Sequence, residues 1–488
     1  MDQSIYYWLG FIGYSITVIG IGLAVYRKKK QKSNLQDTNE FWSAGKSLSG
    51  WSVGLSISAS MMSVSWSCVY GVQLFYWYGL GGAWLLIIPW LLTMAGFFFL
   101  VPVFRKYNTF SQPELLEKRF GKLSRILLAP ALVVVFLTWT GAEIFAAGNI
   151  IAPFLGISPQ LTFLLIALVV AIYSYSGGFE AVVSTDKIQF VLVALFISAI
   201  AILGLNALPD LSVLTDLIPP KAPGNNHWLS PGLPLIAMTF IAYLPGWLIE
   251  TDLWVRIQAA QSNREARKGV FIASFNSFLF VGIMPLITGL TALALFPAVD
   301  GIIPEKLNDG ALIFTVIMQN YAPLWLSLIL SIGLIAAAMS TIDTCGNIVA
   351  LSLSRDLIEP GLTKKLSKKQ LQKVARFSSV FAIMLAYIYA LFTDNLWDIF
   401  YLSSGILTTT VFIPVCASFL KSVSKTEINI AIITGIISTF IFYFLEKNGF
   451  LSAFQPEAIS TTGLGYIIWA FLSSLFVFLI VLSFNPKK

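Results

Sequence analysis

The stretch FIAYLPGWLIETDLW, residues 240–254, reads as a membrane span that cannot stay helical throughout. Pro245 lacks the N–H a helix needs and Gly246 is its weakest neighbour, so the pair predicts a break that frees backbone groups in mid-membrane. Such groups are tolerated only where they line a cavity or meet other protein, and a break there marks a binding site. Two acidic residues, Glu250 and Asp252, follow within one to two turns.

The surroundings are as apolar as a span requires. Hydrophobic residues make up 57% of the 488 and charged residues only 11%, where soluble chains carry about 25% charge. Runs long enough to cross a ~30 Å hydrocarbon core fall at 4–26, 52–76, 79–104, 125–153, 158–175, 181–207, 230–257, 269–297, 322–354, 374–394, 397–420, 427–445 and 463–485. That predicts an all-α membrane protein of thirteen transmembrane helices. The first run lacks a basic leader and is followed by Arg27-Lys28-Lys29-Lys30, which predicts a retained span rather than a cleaved signal.

Basic residues test the threading, because Lys and Arg of short loops stay on the cytoplasmic side. With the N-terminus outside and the C-terminus cytoplasmic, all 31 fall inside except Lys221, Lys306 and Lys447. The net charge of +7 then reflects topology in a cell membrane, plasma or inner, and its anionic leaflet, with no nucleic-acid surface. Arg256, Arg264, Arg267 and Lys268 read as a cytoplasmic cluster that orients helices, which leaves no Lys or Arg in the interior of any span. Phe75, Tyr76, Trp77 and Tyr78 read as an interfacial aromatic belt. Cys68, Cys345, Cys416 and the lone His227 have no spacing for a disulfide framework, a zinc site or His-based catalysis. No enzyme motif stands out, and nothing calls for an obligatory protein partner.

Five spans before the Pro-Gly break lies SISASMMSVSWSCVYG, residues 56–71, crowded with Ser at 56, 58, 60, 63, 65 and 67. Close helix packing accounts for such a run as well as ligand binding does. The spacing of five matches two inverted five-span repeats, each opening with a discontinuous helix and holding solute where the breaks meet. A single transporter domain over 1–488 follows: an extra N-terminal span (4–26), repeats at 52–207 and 230–420, and two C-terminal spans (427–485).

A third polar run, AAAMSTIDTCGN at 336–347, sets Ser340, Thr341 and Thr344 on one helical face. Their hydroxyls could bond the preceding turn or hold a hard cation. Asp343 near mid-membrane demands a cation, a proton or a donor.

Four segments carry a resemblance: FWSAGKSLSGWSVGLSISAS (41–60), YSGGFEAVVSTDKIQ (175–189), RIQAAQSNREARKG (256–269) and AAAMSTIDTCGNIVALSLSRDL (336–357). They resemble the sodium:solute symporter family, whose members carry sugars, proline, pantothenate, sialic acid and iodide. The resemblance implies a leucine-transporter-like fold and one or two coupling Na⁺ ions. It implies a first sodium site from Ser340, Thr341 and the carbonyl of Ala337, with the carbonyls of Ala59 and Met62. It implies a second cation site from Asp186, Ser340, Asp343 and Thr344, for Na⁺ or H⁺, although a Ser is expected where Asp343 stands. Asp186 could instead cap its helix and pair with Lys187 or Arg355.

For the solute, the candidates are Ser60, Ser63, Trp66, Tyr70, Trp139, Glu143, Trp247, Glu250, Tyr401 and Ser404. An acidic, aromatic pocket without Lys or Arg favours a small cationic or zwitterionic amine. A sugar, a polyol or an organic acid held by half-helix N-termini is the alternative, and an ion channel is the alternative of another class.

Overall fold

The computed structural model describes residues 4–31, 46–222, 228–362 and 366–484. His227, residues 41–45 of the first resemblance segment, and Lys32, Lys364, Lys365, Lys487 and Lys488 lie outside the described residues.

The described chain is helical almost throughout, and eleven of its helical stretches are long and apolar enough to cross a membrane. One, Val64–Lys106, runs for 43 residues, and a shorter apolar helix, Pro159–Tyr175, accompanies the eleven. The first helix, α1 (Ser4–Gln31), packs beside the rest, with Tyr7 Oη 2.7 Å from Ser327 Oγ.

The second predicted span is interrupted as the serine run suggested. Helix α2 (Gly50–Met61) stops at Met62 (φ −81°, ψ 50°), Ser63 is extended, and the chain resumes as α3 (Val64–Gly71), wound as a π-helix and continued by Val72–Tyr78. Phe75, Tyr76 and Trp77 are not the interfacial belt expected of them. All three are buried, with Tyr76 Oη donating to the Phe296 carbonyl (2.7 Å) and Trp77 Nε1 to that of Asp309 (3.0 Å). Amphipathic rings meet an irregular loop there instead of lipid headgroups.

Helix α4 (Lys122–Leu155) leads into α5, a helical run over Pro159–Asn206. At 1.5 Å per residue its 48 residues would measure about 72 Å, over twice the hydrocarbon thickness, so it is no single straight crossing. Its two arms converge on α8 (Leu324–Leu351): Tyr173 reaches Asp343, while thirteen residues on Asp186 reaches Ser340, and Phe196 packs at Gly333.

The second break lies three residues beyond the place predicted for it. Helix α6 (Leu233–Trp247) continues through Pro245-Gly246 and opens only at Leu248–Glu250, before α7 (Thr251–Ala259). The reason is a wedge from α9 (Leu396–Ile406) and the π-turn after it. Thr408 Oγ1 donates to the Ala242 carbonyl (2.7 Å) and accepts from Gly246 N–H (3.0 Å), bridging the two groups a regular helix would pair.

Glycine sets how closely the elements approach. A Cβ on Gly54 of α2 would stand 2.7 Å from Ile272 Cβ and 2.9 Å from the Gly269 carbonyl oxygen, a small-residue contact of the kind that joins membrane helices. Gly54→Val is expected to cost about 1–3 kcal/mol by overpacking, read as a lower apparent Tm of purified protein. Gly13→Ala, where an added Cβ would meet no neighbouring element within 4 Å, should cause no such loss.

Candidate functional site

The two breaks face one cavity. It is lined by Ser60, Ser63, Ser65, Trp66, Trp90, Trp139, Trp247, Glu250, Asp252, Thr341, Thr344, Phe400 and Ser404, among others. Seven of the ten residues expected to meet solute are on this wall; Tyr70, Glu143 and Tyr401 are not.

Glu143 of α4 has a different task. It is fully buried, and its two oxygens accept from Val64 N–H (2.7 Å) and Ser65 N–H (2.9 Å). A half-helix beginning in the membrane leaves its first N–H groups without carbonyl partners, and a carboxylate there satisfies them and complements the helix dipole. Ser63 Oγ takes the next, from Trp66 (2.9 Å). Glu143→Ala strands two buried donors and is expected to destabilise the protein by about 2–6 kcal/mol, at ~1–3 kcal/mol each. Glu143→Gln, which keeps one acceptor, should lose roughly half as much; equal Tm values for both variants and the wild type would refute the cap.

Tyr70 and Tyr401 belong to a stacked aromatic layer along one side of the cavity. Tyr243 stacks on Trp247 (centroids 4.1 Å) and on Tyr401 (4.9 Å), and Trp66 stacks on Tyr70 (5.3 Å) with Phe400 edge-on at 4.9 Å. Tyr401 Oη is 2.7 Å from Thr239 Oγ1 and Tyr70 Oη is 3.3 Å from Tyr243 Oη. Their hydroxyls thus point at protein.

The polar run of α8 meets the end of α2. Thr341 Oγ1 donates to the Ser60 carbonyl at 3.0 Å and only weakly to Ala337, at 3.5 Å. Ala59, Met62, Ala337 and Ser340 are buried around the same junction. The carbonyls at a helix end have no helical partner, so this junction offers several uncharged hard oxygens together. Those donors fit an alkali cation.

The residues expected at the second cation site also converge, but around an arginine. Asp186 accepts from Ser340 Oγ at Oδ1 (2.9 Å) and from Ser56 Oγ at Oδ2, and Arg256 Nη2 stands 3.4 Å from that same Oδ2. Thr344 Oγ1 accepts from Arg256 Nη2 at 2.8 Å, and Asp343 accepts from Tyr173 Oη at 2.7 Å. Arg256 is therefore no part of a cytoplasmic surface cluster, and the reading that no basic residue enters a span is corrected. Asp186 pairs with neither Lys187 nor Arg355 in these contacts. A signal was available: Asp252 and Arg256 are i,i+4 partners on α7, and they bond each other. Trp90 and Thr408, which the sequence does not single out, are each brought in by a different element.

Two discontinuous helices meeting at a polar centre in a helical membrane protein are the build of a secondary transporter. The chain belongs to the sodium:solute symporter family, whose model matches residues 41–435, and it is a sodium-coupled symporter. It is 24% identical over 409 residues to the sodium/sialic acid symporter NanT of Aliivibrio fischeri (80% of this chain, 78% of the relative). It is 29% identical over 412 residues to the sodium/glucose cotransporter of Vibrio parahaemolyticus (77% and 73%), and 24% identical over 393 to a sodium/proline symporter of Staphylococcus aureus (78% and 74%). Among solved structures, a substrate-bound, outward-open Na⁺-coupled sialic acid symporter superposes with a TM-score of 0.78 at 19% identity, covering 99% of both chains. That likeness bears on the fold.

Proposed function

We propose that this protein carries a small cationic or zwitterionic amine into the cell with Na⁺, by alternating access around the cavity between the two breaks. The observation that carries the solute class is Glu250. It is 2% exposed, it lines the cavity beside Trp66, Trp90, Trp139 and Trp247, and its carboxylate takes no hydrogen bond from the described residues. The other cavity carboxylate, Asp252, is engaged by Arg256 and by Ser60 Oγ (3.1 Å). A buried carboxylate needs a partner, and an ammonium among indole faces supplies one.

Na⁺ is held by the Ser340 and Thr341 hydroxyls with the carbonyls of Ala59, Met62 and Ala337. One ion crossing a 100 mV potential supplies ~2.3 kcal/mol and a tenfold gradient ~1.4 kcal/mol. Together they support a solute gradient near ~500-fold. Supporting thirteen crossings with the N-terminus outside are the eleven apolar stretches, the double length of Val64–Lys106, the additional Pro159–Tyr175 helix and the one-sided distribution of Lys and Arg. The interruptions at Met62-Ser63 and Leu248–Glu250 support paired five-span repeats.

A thermal-shift screen of purified protein against amines, amino acids, sugars, polyols and organic acids, with Na⁺ or K⁺, tests the reading. Stabilisation by amines or amino acids that requires Na⁺ is the expected result. Stabilisation by a sugar or polyol alone would transfer the solute role to the cavity hydroxyls of Ser60, Ser63 and Ser404, and independence from Na⁺ would overturn the coupling.

A further inference from the structure

The acidic cluster beneath the cavity already contains a positive charge. Arg256 is 1% exposed, and its guanidinium is shared by four elements. Nε donates to Ser56 Oγ of α2 (2.8 Å), Nη1 to Asp252 of α7, and Nη2 to Thr344 Oγ1 of α8 (2.8 Å), with Asp186 of α5 3.4 Å away. The Phe179 ring lies 5.8 Å from it.

These are largely the oxygens a second Na⁺ would require. Asp186 and Thr344 hold the guanidinium, and Ser340 directs its proton at Asp186. Asp343 is held by Tyr173 through one oxygen, and its buried Oδ1 has no hydrogen-bond partner among the described residues. An alkali ion here would share its ligands with a fixed like charge in direct contact. Arginine suits the position because its fork of donors spans several acceptors and it does not deprotonate in proteins.

We propose that Arg256 is a tethered cation filling the second ion position, so that this chain binds one Na⁺ where the oxygens of Asp186, Ser340, Asp343 and Thr344 could otherwise hold another. The inference rests on the sodium-symport reading. Because Asp252 grips the guanidinium from one turn earlier on α7, the charge belongs to the half-helix that follows the second break. Coupling stoichiometry is then set by a side chain.

The test counts radioactive Na⁺ bound at saturation per purified chain in nanodiscs. The wild type is expected to bind one ion and Arg256→Gln two, with the added ion lost again in Arg256→Gln/Asp186→Asn. Arg256→Lys, which keeps the charge, should bind one. If Arg256→Gln does not fold, Arg256→Ala purified in guanidinium, which refills the vacancy, and then exchanged into sodium should gain the second ion. Two ions on the wild type, or one on both wild type and the neutral variants, would overturn the proposal. No bound Na⁺ on the wild type would overturn the sodium reading itself.

Discussion

Glu250→Gln is expected to weaken binding of the amine selected by the screen by at least about 100-fold, equivalent to ~2.8 kcal/mol. The variant is isosteric and keeps a hydrogen-bonding group, so the loss isolates charge. Removing one partner of a buried ion pair typically costs ~3–5 kcal/mol, because the other charge is left in low dielectric. Here the bound ammonium would be that charge. Since the Glu250 carboxylate takes no hydrogen bond from the described residues, the unliganded variant should be no less stable than the wild type. Titration calorimetry in saturating Na⁺ measures both partners of the comparison. An affinity within about threefold of wild type would remove the amine reading and leave a neutral solute.

Thr341→Val should raise the Na⁺ concentration giving half-maximal binding by ten- to a hundredfold. The substitution keeps the side chain's shape and deletes the hydroxyl that joins α8 to the Ser60 carbonyl. It removes one proposed ligand and leaves a buried carbonyl without its donor, a penalty of about 1–3 kcal/mol. Thr341→Ser retains the oxygen and should stay within a few-fold of wild type. Solute affinity measured at saturating Na⁺ should change little in either variant, which separates an ion ligand from a collapsed pocket. An unchanged sodium dependence in Thr341→Val would eliminate the junction of α2 and α8 as the ion site.

The two substitutions probe features that were unequally legible. Both breaks could be anticipated from residue type, since a Pro-Gly pair and a dense serine run are costly to carry through a membrane unless backbone is to be freed. The position of the second break could not. Thr408, over 150 residues away, inserts between Ala242 and Gly246 and holds the turn that Pro245 alone would open.

Glu143 and Arg256 show why candidate residues can have their roles exchanged. A carboxylate in an apolar run announces that it must be paired, without saying with what. Glu143 was grouped with solute ligands, yet it is consumed by the N–H groups of Val64 and Ser65. Arg256, beside other basic residues in sequence, was grouped with the cytoplasmic loops, yet it is buried against Asp186 and Asp252.

Hydropathy and small-residue patterning in the sequence alone determined that this is a helical membrane protein with polar breaks, because the cost of burying polar groups in lipid depends on local residue type. Which carboxylate is left open to a ligand, and which cation already occupies the acidic cluster, was decided only by tertiary structure. Hydrogen bonds between side chains far apart in sequence distribute the partners, and only the packed helices bring those partners within reach.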